Sequence, residues 1–317
     1  MQERRHQLLM GESMPLRRAG VLGKPIGHTL SPVIHNAGYA AAGLTGWRYT
    51  AHECDEADLA GFVAGLGPEW AGLSLTMPLK EVALDVAGEV SAVAAALGAA
   101  NTLVRLPANP TMPRPSTSPD VWRAENTDAP GIVDALVAAG VTTVDRFAIL
   151  GAGGTARAAL AAARELGATR VTVYARRPAA CDELALVAKE LGFPLIGASW
   201  ADAPMAGADD VVVSTVPKGV ADPLAATMRW RPGAVLFDAI YDPWPTPLAA
   251  SAVRQGCRIV SGLDLLLTQA VLQFEFFTGV TAPVAAMRSA LFAAAHARPA
   301  NPRLADHELG DAKPRRS

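Results

Sequence analysis

Short apolar runs alternate along this chain with stretches in which apolar residues recur every three or four positions. The runs predict strands at 18–23, 47–53, 70–76, 101–106, 146–150, 170–175, 210–215, 234–240 and 257–260. The longer period predicts helices at 32–42, 56–65, 80–87, 90–98, 129–139, 155–166, 180–191, 246–255, 263–277 and 283–296. Strand and helix follow each other regularly, which is the pattern of parallel α/β sheets. One segment breaks the rhythm. "PANPTMPRPSTSPD", 107–120, lies between the strand-like "NTLVRL" and "VWRAEN" and is expected to form a long exposed hairpin loop.

The clearest local signal is "RFAILGAGGTARAALAAARELGATRVTVYARR", 146–177, which is strand, Gly-x-Gly-x-x-Ala, helix, strand. Gly151 permits a tight turn, Gly153 lets backbone approach a pyrophosphate, and Ala156 keeps helix and sheet close. Around Ala152, Gly154 and Thr155 the helix start offers N–H donors and a positive dipole end to phosphates. The competing reading is a tight turn in an unliganded sheet. An NAD enzyme carries an acid at the end of the second strand, whereas this chain has Ala175-Arg176-Arg177. A guanidinium suits a 2′-phosphate, so NADP is the expected cofactor, with at least one arginine simply solvated.

About 145 residues precede this unit, enough for a separate domain, and 317 residues allow two real cores. Polar clusters sit there at the ends of apolar strands. "AGLSLTMPLKEVALDV", 71–86, predicts a buried strand, a turn at Pro78 and a helix with Lys80 in its first turn, where the helix dipole disfavours a cation. Only five of the 28 Lys and Arg residues are lysines. A compact ammonium with a transferable proton is one reason to keep lysine there, and a solvated surface lysine is the other. "GKPIGHTLSP", 23–32, offers Thr29 and Ser31, "LTMPLK" adds Thr76, "AANTLV" offers Asn101, and "AENTDAPG", 124–131, offers Asn126, Thr127 and Asp128. Each has a structural alternative. Ser31 suits an N-cap before Pro32, Thr127 or Asp128 suits a cap for the next helix, and Asn101 suits the end of a turn. Together these groups suit a small polyhydroxylated acid.

Composition narrows the classes. Half the residues are hydrophobic and 18% are charged, with a net charge of −2. Neither nucleic acid nor a membrane surface is expected as a partner. No uncharged apolar run approaches the ~18 residues of a membrane helix, and the N-terminus lacks a signal-peptide core, so a cytoplasmic location is expected. Cys54, Cys181 and Cys257 are odd in number and far apart, the six histidines show no ligand spacing, and no metal site is expected.

In combination the motifs resemble the shikimate dehydrogenase family over roughly 18–297. The matching stretches are "GKPIGHTLSPVIHN" at 23–36, "LTMPLK" at 75–80, "GAANTLV" at 98–104, "NTD" at 126–128, "GAGGTAR" at 151–157, "YDPWPTPL" at 241–248 and "GLDLLLTQA" at 262–270. The resemblance implies NADPH-dependent reduction of the C3 carbonyl of 3-dehydroshikimate, in the pathway to aromatic amino acids. It implies Lys80 as the acid–base group and Asp128 as its partner. By the same resemblance, Ser31, Thr76, Asn101, Tyr241 and Gln269 would hold substrate, Gly151, Ala152, Gly153, Gly154 and Thr155 the pyrophosphate, Arg176 the 2′-phosphate, and Gly262 the nicotinamide side. Thr29 stands where the family usually has serine, which puts a methyl near the substrate carboxylate and leaves quinate open as a second substrate. "YARR" differs from the family's usual "NRT", with Arg176 still on the arginine position. A non-catalytic NADP(H)-binding sensor is the alternative from another class.

The expected fold is α/β with a cleft between two domains. The substrate domain spans 18–128 and is completed by helices in 263–297. The Rossmann-type nucleotide domain spans 129–262. Residues 1–17 and 298–317 are expected to be loose, with Met14 a possible start, and the protein to be a monomer or homodimer.

Overall fold

The computed structural model describes residues 16–106 and 121–297. The expected loop at 107–120, residues 1–15 of the expected leader with Met14, and the tail from 298 lie outside the described residues; Arg17, expected to be loose, instead opens the first strand. The described chain forms two six-stranded sheets. Strands of the first are β1 (Arg17–Gly23), β2 (Trp47–Glu53), β3 (Trp70–Leu75), β4 (Glu89–Val90), β5 (Thr102–Arg105) and β6 (Trp122–Glu125). Those of the second are β7 (Arg146–Leu150), β8 (Arg170–Ala175), β9 (Leu195–Ser199), β10 (Val211–Ser214), β11 (Val235–Asp238) and β12 (Arg258–Ser261).

The first sheet, ordered β2-β1-β3-β5-β6-β4, is mixed. β1 runs parallel to β2 and β3, but β5 is antiparallel to both β3 and β6. The antiparallel β5–β6 pair agrees with the hairpin connection expected between those strands, and the departure from the parallel pattern is the antiparallel β3–β5 pair. No helical pattern separates β5 from β6, and neighbouring strands joined without a crossover run antiparallel. The second sheet, ordered β12-β11-β10-β7-β8-β9, is wholly parallel. That is the doubly wound nucleotide-binding order, which reverses between β7 and β10, where such sheets bind ligands. Strand β9 was absent from the expected set because it lies half-exposed at the sheet edge and contains Gly197. The 3₁₀ helix Trp200–Ala208 and the four-residue helix Leu224–Thr227 were also absent from it.

Helices Gly262–Thr278 and Val284–His296 follow β12 in sequence yet pack on the first sheet. Leu267, Phe274, Phe277 and Met287 share one core with Ala19, Val21, Ile34 and Tyr49. The approach is close. A Cβ built on Gly72 of β3 would lie 2.0 Å from Phe277 Cδ1. Among the described residues no helix is long and apolar enough to cross a membrane, and no cluster of His, Cys, Asp or Glu could hold a metal ion.

Candidate active site

The Lys80 segment differs from its expected helix. Only Ala83–Val86 is helical, and residues 77–82 form turns. Lys80 therefore precedes the helix and does not sit in its first turn. The cause is tertiary. The Lys80 carbonyl, which a helix starting at 80 would give to residue 84, accepts the Ala100 N–H at 2.7 Å, and the Leu84 N–H turns to the Glu81 carbonyl. The dipole conflict expected for Lys80 is thus absent. What holds its ammonium is Asp128, whose Oδ2 accepts from Nζ at 2.6 Å, with the side chains 18% and 7% exposed.

Asp128 opens helix Asp128–Ala138 without capping it. Thr127 occupies the N-cap position as expected, but its hydroxyl is turned to Asn101, and the side-chain capping bond comes from Asn126, whose Oδ1 accepts the Ala129 N–H at 3.1 Å. Relieved of that task, Asp128 turns its second oxygen to Asn101, whose Nδ2 donates to Oδ1 at 2.8 Å. Asn101 is itself fixed, because its Oδ1 accepts the Thr127 N–H at 2.8 Å and the Thr102 hydroxyl at 2.9 Å. Asn101 accordingly does more than end a turn.

Ser31 is likewise not an N-cap. Its helix, Ser31–Ala41, makes no side-chain cap bond. Instead the Thr29 Oγ1 accepts the Ser31 N–H at 3.3 Å and donates to Ser31 Oγ at 3.2 Å. Thr29 and Ser31 line a cavity of about 280 Å³ together with Thr76, Lys80, Asn101, Asp128, Tyr241, Gly262 and Gln269. Every residue that the resemblance assigns to substrate is thus brought to one chamber, whereas Asn126 and Thr127, also offered by the sequence, do not line it. Its floor also contains Ser74, which was not foreseen; a lone serine in a fully buried strand was its only signal.

A second, larger cleft of about 860 Å³ opens at the point where the second sheet reverses. Gly151 to Thr155, Arg176 and Arg177 line it. Gly151 has φ +105°, and a Cβ there would lie 2.7 Å from Thr215 Oγ1, so glycine is required by the turn itself. Gly153 differs. Its φ is −99° and a Cβ would meet nothing within 4 Å. Neither strain nor packing demands glycine at that position, which leaves close approach from the cleft as the reason. Gly153 is also the N-cap of the twelve-residue helix Gly154–Glu165, with backbone donors at its start. Arg176 and Arg177 are exposed and have no ion-pair partner among the described residues. These features fit a dinucleotide carrying an extra phosphate. Thr215, which follows β10, and Trp200 also line the cleft and were not foreseen. Thr215 follows a strand at the reversal point, a signal that the sequence pattern does carry.

Thr76, Lys80 and Thr155 line both the chamber and the cleft. A Cβ on Gly154 would lie 3.3 Å from Lys80 Cδ, so the glycine loop packs directly on the lysine stem. Gly262 borders the chamber, not the large cleft, and a Cβ there would be 2.2 Å from the Ala239 carbonyl oxygen. The arrangement sets one ammonium, oriented by a buried carboxylate, where a small polar chamber meets a nucleotide cleft. That suits proton transfer to an oxygen beside a nicotinamide ring.

Comparison with known proteins agrees with this geometry. The shikimate dehydrogenase substrate binding domain matches residues 21–103, and the shikimate 5′-dehydrogenase C-terminal domain matches 262–292. The shikimate dehydrogenase (NADP(+)) of Moorella thermoacetica is 35% identical over 84% of this chain and 90% of its own. Among solved structures, shikimate dehydrogenase of Mycobacterium tuberculosis is 45% identical, with a TM-score of 0.77 over 88% of this chain and 99% of that one. The Thermus thermophilus enzyme, solved with NADP(H) and shikimate, is 30% identical, with a TM-score of 0.75 over 88% of this chain and all of its own. Similarity of this extent, across both sheets, means that the chain belongs to the shikimate dehydrogenase family of NADP-dependent oxidoreductases.

Proposed function

We propose that this chain catalyses the reversible NADPH-dependent reduction of 3-dehydroshikimate to shikimate, with Lys80 as acid–base group and Asp128 as its partner. The observation that carries this reading is the 2.6 Å Lys80–Asp128 pair at the junction of the two cavities. NADPH, when bound, supplies the hydride that reduces the ketone carbon. Lys80 holds a proton against the ketone oxygen and gives it up as negative charge develops there; in the reverse direction it takes the proton back. Until that transfer the ammonium stabilises the developing charge electrostatically. Asp128 restricts the ammonium to one direction, and Asn101 restricts Asp128. Thr29, Ser31, Thr76, Tyr241 and Gln269 bind the ring hydroxyls and carboxylate. The backbone from Gly151 to Thr155 takes the pyrophosphate, Arg176 the 2′-phosphate, and Gly262 the nicotinamide side. In this scheme 18–128 with 263–297 form the substrate domain and 129–262 the nucleotide domain.

The test follows reduced nicotinamide spectroscopically with 3-dehydroshikimate, shikimate and quinate, each with NADP(H) and NAD(H). The expected result is efficient turnover of the shikimate pair with NADP(H). Comparable turnover of quinate points to a broader enzyme, as the Thr29 departure allows. NADPH binding without turnover points to a sensor and overturns the proposal.

A further inference from the structure

Behind the chamber a chain of buried hydrogen bonds runs from the core of the first sheet to Asp128. The Tyr49 hydroxyl donates to Ser74 Oγ at 2.6 Å, and Ser74 donates to Gln273 Oε1 at 2.7 Å. Gln273 Nε2 donates to Thr102 Oγ1 at 2.9 Å, and Thr102 donates to Asn101 Oδ1 at 2.9 Å. Asn101 Nδ2 then donates to Asp128 Oδ1 at 2.8 Å. All six side chains belong to buried residues.

The donors point one way along the whole chain, and this follows from counting protons. Tyr49, Ser74 and Thr102 have one hydroxyl proton each. Once Tyr49 donates to Ser74, the Ser74 proton is committed to Gln273, so Gln273 must face Ser74 with its oxygen. Its amide hydrogens then face Thr102 and the Asn101 carbonyl, which lies 3.4 Å from Nε2. The Thr102 proton is left for Asn101 Oδ1. Asn101 accordingly presents its oxygen to the Thr102 hydroxyl, the Thr127 N–H and the Thr127 hydroxyl at 3.1 Å, and its hydrogens to Asp128.

We propose that Gln273 and Thr102 are positioning residues for the acid–base pair: the Thr127 N–H already sets which way the Asn101 amide faces, and Gln273 and Thr102 hold the plane of that amide and, through it, the carboxylate that aims Lys80. The inference rests on the assignment of Lys80 and Asp128 as that pair. Gln273 lies on helix Gly262–Thr278, one turn beyond Gln269 of the substrate chamber. One helix thus contributes one glutamine to the chamber and one to the support of its catalytic carboxylate. Displacements well under 1 Å matter for proton transfer, which is why a group that never touches substrate can act on kcat.

Three variants test this. Thr102→Val keeps the shape and suits a strand but removes the relay hydroxyl. Gln273→Glu keeps the shape but replaces the donor to Thr102 with an acceptor, which draws the Thr102 proton away from Asn101. Thr102→Ser keeps the hydroxyl. Thr102→Val and Gln273→Glu are expected to lower kcat at saturating substrates about 10- to 100-fold, with the NADPH Kd, measured by binding fluorescence, within about twofold of wild type. Thr102→Ser should retain most of the activity. The double variant Thr102→Val/Gln273→Glu should be scarcely worse than either single one, because both break one relay. If Gln273→Glu does not fold, the contrast between Thr102→Val and Thr102→Ser decides alone. The inference is overturned by a kcat for Thr102→Val within about twofold of wild type, by equal losses in Thr102→Val and Thr102→Ser, or by losses that multiply in the double variant. Asp128→Asn in the same assay separates the two levels. An undamaged Asp128→Asn defeats the acid–base assignment, while a damaged Asp128→Asn beside an active Thr102→Val defeats only the relay.

Discussion

His35 should make the protein sensitive to mild acid. Its ring is wholly buried in helix Ser31–Ala41 and stacks on Tyr49 with centroids 4.1 Å apart and planes 3° from parallel. Neither ring nitrogen makes a hydrogen bond of normal geometry. Tyr39, Tyr49, Phe277 and Gln273 surround it, and none of them ionises in the acid range. Burial lowers its pKa from 6.5 to about 3 and outweighs the Gln273 side chain, which acts the other way. Between those two values the unfolded chain binds a proton that the folded chain does not, so stability falls as pH falls. Above pH 6.5 the contribution is constant. At pH 5, one and a half units below the unfolded value, the loss is about 2 kcal/mol, and near pH 3 it is on the order of 5 kcal/mol. For domains of this size 2 kcal/mol corresponds to roughly 4–8 °C in Tm. His35→Phe keeps a stacking ring and loses only the Gln273 interaction, so it chiefly reports the titration. The assay is Tm by circular dichroism at pH 7.5 and pH 5.0 for both proteins. Wild type should lose that increment relative to His35→Phe, and the comparison cancels His52, Asp209 and Asp238, whose pKa values are also shifted by burial. Parallel losses in the two proteins would refute the reasoning.

Other substitutions probe the cofactor cleft and the chamber. Arg176→Ala should raise the Kd for NADPH roughly 10- to 100-fold, the effect of one charge-assisted hydrogen bond, and leave that for NADH nearly unchanged; equal effects on both cofactors would remove the 2′-phosphate assignment. Gly151→Ala should lower stability by about 1–3 kcal/mol because of its positive φ and the Thr215 contact. Gly153→Ala should leave Tm unchanged yet weaken NADPH binding in calorimetry, and the reverse pattern would mean that Gly153 serves packing. Thr29→Ser keeps both hydrogen bonds to Ser31 and loses only the methyl, so KM for shikimate should fall with little change in kcat; an unchanged or higher KM means that the methyl is accommodated.

What the chain discloses before folding is largely what is local. The strands at 146–150 and 170–175 lie where the apolar pattern puts them, because turn, helix and sheet contacts there fall within about thirty residues. The Lys80 turn was hidden because the bond that forbids a helix comes from Ala100. That the capping bond comes from Asn126 and not from Thr127 or Asp128 was hidden for a similar reason, since Asn101 takes the Thr127 hydroxyl and Lys80, 48 residues earlier, takes Asp128. The antiparallel pairing of β5 with β6 follows the hairpin pattern of the sequence, whereas its antiparallel pairing with β3 depends on how the sheet closes, and propensity does not encode that. The Thr102–Gln273 bond joins residues 171 apart, and its one trace in the sequence is a second glutamine, one turn after Gln269, on a mostly apolar helix face.

The most direct test of the proposed chemistry is kcat for Lys80→Met, Asp128→Asn and the double variant, with NADPH affinity and Tm measured alongside. Lys80→Met should lower kcat by about 10²–10⁴, or roughly 3–5 kcal/mol of barrier, while the fold and NADPH binding persist. Asp128→Asn should also lower kcat, and the double variant should be scarcely worse than Lys80→Met alone, because the two residues act as one unit. A Lys80→Met enzyme with kcat near wild type would contradict the account.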